Sequence, residues 1–83
     1  MAQLTAAQRK RLKDADFAYI DKDGQRHLPI HDEEHLRNAV QRFGRTHFES
    51  TSARGEAAKK ILRAAKRRGI EIGPDDDVSR AAG

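Results

Sequence analysis

The firmest pattern in the chain begins at Asp32, where apolar side chains recur as Leu36, Ala39, Val40 and Phe43, at i, i+3, i+4 and i+7. That period predicts an amphipathic helix, and Gly44 is placed to end it. A second stripe, Ala58, Ile61, Leu62 and Ala65, predicts a helix from about Ala53 to Arg68, with Ser50, Thr51 and Ser52 offering caps. Gly69 then takes the position after the last turn, and Ile70 folds back on Ala65 in a Schellman ending.

Ahead of Asp32 the period is shorter. FAYIDKDGQRHLPI sets aromatic and β-branched residues before an Asp-Lys-Asp-Gly turn, then alternates Leu28 and Ile30 with polar or turn residues, which predicts a β-hairpin. Gly24 supplies the positive φ of the turn, and Pro29, lacking an N–H, fits a strand edge or end. Two strands alone are marginal, so helices must cover the face that carries Phe17 and Tyr19. In RTHFESTS, a loop, Phe48 is expected to plug the core. TAAQRKRLKDA predicts a short first helix, because Thr5 and Gln8 have capping-box spacing and Leu4 and Leu12 can anchor it. GPDDDVSRAAG, at the end, has the composition of a disordered segment. The expected architecture is α+β: an N-terminal helix, a β-hairpin and two helices packed on it. One compact domain spans 1–72, followed by a flexible acidic tail over 73–83.

Composition narrows this picture. A chain of 83 residues buries only a small core. Without cysteine it has neither disulfides nor thiolate metal ligands, and no apolar run approaches the ~20 residues that cross a bilayer. A soluble, cytoplasmic chain with no membrane partner is the expectation. The net charge of +4 and pI near 9.9 point to an anionic partner, but the charge is unevenly placed. Residues 5–13 carry +4 and 53–68 carry +6, whereas 14–52 and 69–83 each carry −3.

HDEEH, residues 31–35, sets two histidines four apart around three carboxylates. The zinc-protease pattern needs glutamate directly after the first histidine, where this chain has Asp32. Pro29 also argues against helix before about residue 31, so Asp32 reads as the N-cap, with Glu33 and Glu34 in the first turn. His31 then falls outside the helix, and a metal shared with His35 is not expected. His27 and His47 complete no standard zinc spacing. No Ser-His-Asp spacing, P-loop or G-x-G-x-x-G occurs, so neither an enzyme nor a cofactor is expected.

His35, Asn38 and Arg42 form a polar stripe beside the apolar one. Two readings fit: His35 and Asn38 satisfy backbone groups of a small fold, or they make a recognition surface with Thr46 and His47. On the last helix Lys59, Arg63, Lys66 and Arg67 lie opposite the apolar stripe, with Lys60 and Arg54 beside them. Such a face is either solvated or suited to phosphate backbones, and Arg9, Lys10, Arg11 and Lys13 could extend it. No aromatics are interleaved for base stacking, so contact with DNA or RNA would be backbone-directed.

The runs LTAAQRKRL, DADFAYID, HLPIHDEEHLRNAVQRF, THFES and KKILRAAKRRGI, in that order, resemble a small bacterial and phage-borne domain family of unknown function. Its members read roughly as LTxxQRxxLPDSxFAYxD, LPIxDxxHxRNAxxRFxxTHF and KxKILxAAKxxGI. The resemblance covers about residues 4–72 and singles out His35, Arg37, Asn38, Thr46, His47 and Phe48 as family-pattern positions. Lys13-Asp14 departs from a common Pro-Asp, which would let the first helix run further. Such domains occur alone and appended to phage structural proteins such as head-maturation proteases, which implies an accessory or binding role. The functional expectation is a non-enzymatic binding module that contacts nucleic-acid backbone through the last helix. The alternative is a protein-interaction or accessory module in a phage-derived assembly.

Overall fold

The computed structural model describes residues 12–82. The predicted first helix lies mostly outside that range, as do Arg9, Lys10 and Arg11. Within it, Lys13 is extended (φ −88°, ψ 162°) and leads into a 3-10 turn over Asp14–Asp16, so no α-helix runs through Lys13-Asp14. The Asp16 carboxylate accepts from the Lys13 N–H at 2.9 Å, closing this turn on itself and delivering the chain straight into a strand.

Strands β1 (Phe17–Ile20) and β2 (Arg26–Pro29) pair antiparallel, with Phe17 opposite Pro29 and Tyr19 opposite His27. The turn between them is organised by Asp21. Its Oδ1 accepts from the N–H groups of Asp23 and Gln25, both at 2.9 Å, while Gly24 takes φ 80°. This is an Asx-type turn, in which a short carboxylate replaces a backbone acceptor. Leu28 has φ 58°, a left-handed conformation that costs a side-chain-bearing residue roughly 1–2 kcal/mol, offset here by burial of its side chain.

Helix α1 (Glu33–Phe43) starts where Asp32 accepts from the His35 N–H at 2.8 Å, and buries His35, Leu36, Ala39 and Phe43. Helix α2 (Thr51–Arg67) is capped by Ser50, which accepts from the Ala53 N–H at 3.0 Å. It ends as the pattern predicts: Gly69 takes φ 69°, its N–H donates to Lys66, and the Ile70 N–H donates to Ala65 at 2.9 Å. Gly44 follows the last helical residue, Phe43, as expected, but with an ordinary helical φ of −65° rather than a left-handed one; a Cβ there would meet the exposed Asp77 carboxylate, which would have to swing aside.

The expected disordered tail is a second departure. Residues Asp77–Ala82 form a short helix, α3, packed chiefly on α2, with Val78 fully buried. Asp76 starts it, its carboxylate accepting from the Val78 N–H at 3.2 Å. The run of aspartates that suggested disorder is a helix start, where carboxylates meet the positive end of the macrodipole. The small residues Ala57, Ala58, Ala64 and Ala65 of α2 leave room for close packing around Ile61 and Val78. Phe48 packs against Phe43 and Tyr19, at 5.1 Å and 4.8 Å between ring centres, as the plug the loop predicts.

Candidate functional site

Three polar regions stand out, and each grows from the local structure beneath it. The first is the outer face of α2. Burial of Ala57, Ala58, Ile61, Ala64 and Ala65 fixes the helix in rotation and turns Lys59, Arg63, Lys66 and Arg67 to solvent. They recur at i, i+4, i+7 and i+8 along about 12 Å of helix axis. Their described ion pairing is slight: Lys59 stands 3.5 Å from Glu56, both well exposed. Such a pair is worth little. Arg54 and Lys60 sit off this face. The Arg54 guanidinium lies 5.3 Å from the centre of the Phe43 ring, and Lys60 is half-buried with Nζ 3.4 Å from the Phe17 carbonyl. Lys13 is exposed on the extended segment before the 3-10 turn, and that turn shares a hollow with Arg67.

The second region is a hollow of about 230 Å³ between β2 and α1, lined by Arg26, His27, His35, Asn38, Arg42 and Thr46 among others. It collects three of the family-pattern positions, His35, Asn38 and Thr46. Thr46 has a structural part too, since its hydroxyl donates to the Arg42 carbonyl at 2.8 Å and closes the end of α1. Arg37 and His47 lie elsewhere. Arg37 is exposed and paired with Glu33 at 3.0 Å, while His47 borders a separate hollow with Tyr19, Asp21 and His27. In that second hollow the His27 ring stacks on Tyr19, and its Nε2 meets Asp21 Oδ2 at 2.9 Å. This hydrogen bond is the main reason that the Asp21 carboxyl lies below its ordinary pKa of 3.8; it outweighs desolvation, which raises the pKa, with further help from the turn N–H groups of Gln25 and Asp23.

The third region is HDEEH itself. As expected, His31 lies outside α1, but its ring is folded back toward His35 rather than turned away. The two rings face each other at 4.4 Å between centres, with Asp32 spanning both. His35 Nδ1 is 2.7 Å from Asp32 Oδ1, and His31 Nε2 is 3.3 Å from Asp32 Oδ2. His35 occupies the third helical position, from which a side chain reaches back to the cap as in a capping box. That geometry was the available signal for the contact. Burial raises the Asp32 pKa, but the hydrogen bonds from the His35 backbone and ring, with the charges of both histidines, outweigh it and hold the carboxyl below 3.8. Arg68 donates to the His31 carbonyl, tying the end of α2 to this junction. The periodicity placed Arg68 only at the helix end and offered no sign of that partner.

Together these features define a small α+β domain with one cationic helix face and a histidine-rich strand-to-helix junction. The profile of a family of unknown function, DUF6582, matches residues 4–75, and the chain belongs to that family. No curated protein and no solved structure matches the chain. Among the described residues, no helix is long and apolar enough to cross a membrane.

Proposed function

We propose that the protein is a non-enzymatic binding module that contacts nucleic-acid backbone through the outer face of α2. The supporting observation is the alignment of Lys59, Arg63, Lys66 and Arg67 on one exposed face, with Glu56 the acid paired there. Phosphates bound by that face would release counterions, so affinity falls with salt. Base identity would matter little, because the face presents no aromatic side chain.

Fluorescence anisotropy with labelled DNA and RNA at low salt tests this reading. Wild-type protein binds, and Lys59→Glu with Arg63→Glu abolishes binding while the folded spectrum is kept. Absence of binding to any nucleic acid at low salt overturns the proposal. A second reading, a protein-interaction module in a phage-derived assembly, is supported by the hollow beside the hairpin turn. There Tyr19, His27 and His47 line a space of about 520 Å³. Under that reading the same charge reversal leaves partner capture intact, and Tyr19→Ala removes it.

A further inference from the structure

The facing histidines at the start of α1 have a chemistry that the cationic face does not use. We propose that His31, Asp32 and His35 form a binding site for one divalent transition-metal ion of the zinc type. One donor atom from each of the three side chains lies within 4.8 Å of the other two. Ligands about 2.0–2.1 Å from a zinc-type ion stand roughly 3.3 Å apart, so a separation as wide as 4.8 Å must close by about 1.5 Å. Side-chain rotation of Asp32 and His31, which are 48% and 21% exposed, can supply that.

The division of labour within Asp32 leaves an oxygen for the ion. Oδ1 accepts from the His35 N–H and is committed to the cap, whereas Oδ2 faces His31. Two imidazoles and one carboxylate are a nitrogen-rich donor set, matched to zinc, cobalt or nickel and poorly matched to magnesium or calcium. The positive end of α1 opposes a cation, but Asp32, Glu33 and Glu34 carry three negative charges at that end. The guanidinium of Arg68 is also held nearby, on the His31 carbonyl.

A separate observation points to a ligand. His31 Nδ1 and His35 Nε2 are buried and have no hydrogen-bond partner among the described residues, and His35 is only 9% exposed. Buried polar atoms without partners are rare in folded proteins, and either an ion or an ordered water would satisfy them. An ion that takes a lone pair from either of these nitrogens removes that cost at that ring.

The full chain, stripped with chelator, is titrated with Zn²⁺ by calorimetry and by thermal melting. The expected result is one equivalent bound, with the midpoint raised by roughly 10–20 °C at about a hundred times Kd. Asp32→Asn keeps an N-cap, so it folds with a metal-free midpoint only modestly lowered by loss of the carboxylate, while zinc affinity falls at least about tenfold. His31→Ala loses affinity to at least the same degree, and His47→Ala, outside the cluster, changes nothing. The proposal is overturned if wild type binds no zinc. It is equally overturned if either His31→Ala or Asp32→Asn folds and binds within about tenfold of wild type.

Discussion

Two acidic runs, HDEEH at 31–35 and PDDDV at 74–78, look alike as strings of carboxylates and have the same local role. In each an aspartate side chain accepts from a backbone N–H at the start of a helix: Asp32 from His35 at 2.8 Å, Asp76 from Val78 at 3.2 Å. They differ in the residues downstream. After Asp32 come Leu36, Ala39 and Phe43, three buried positions on one helical face; after Asp76 comes Val78 alone. A periodic stripe announces a helix, whereas one valine among aspartates does not, although it anchors a helix all the same. The runs differ in chemistry as well. Histidines interleave the first and give Asp32 two imidazole neighbours, while the second has only carboxylates.

The likeness between the two runs should break most sharply at Val78. Val78→Asp would bury an unpaired carboxylate against α2, at a cost of at least about 2 kcal/mol, and should release α3. Amide hydrogen exchange should then show residues 77–82 unprotected while α1 stays protected; unchanged protection of α3 would contradict the packing described.

Removing the caps gives a smaller, graded effect. Asp32→Ala should cost about 1–2 kcal/mol by denaturant unfolding, because the cap and both imidazole contacts go together. Asp76→Ala should cost only about 0.5–1 kcal/mol, since its bond is longer and its helix is short. Equal costs would mean that the histidines add nothing to the first cap.

A slighter difference should appear with pH. The Asp32 and Asp21 carboxyls both lie below their ordinary value of 3.8 in the folded protein. Each therefore stabilises the fold above that value, and this stabilisation is lost as pH falls through the lower folded pKa. Melting temperature should decline below about pH 4, and Asp32→Asn or Asp21→Asn should flatten the decline.

Much of the fold was legible because local rules and tertiary packing agree. The period of Leu36 to Phe43, the Asp32 cap, the hairpin turn at Gly24 and the Schellman ending at Gly69–Ile70 all stand as read. The features that were not legible depend on long-range neighbours. The approach of the Asp77 side chain to Gly44 comes from a distant part of the chain, and α3 is held by Val78, with Ala81 and Ala82, packing on the core. At the candidate sites, the periodicity placed Lys59, Arg63, Lys66 and Arg67 on one face. It could not show that Arg54 turns onto Phe43 or that Lys60 reaches the Phe17 carbonyl. Nor could Pro29 and the helical period reveal that the His31 ring folds back onto His35, because the ring direction outside the helix is set by packing.

The central claim, that α2 offers a phosphate-binding face, is tested most directly by the slope of log affinity against log salt for a DNA duplex. Four contacts predict a slope of about −3.6, and Lys66→Ala should reduce its magnitude by about 0.9. A salt-independent affinity, or a slope that Lys66→Ala leaves unchanged, would contradict it.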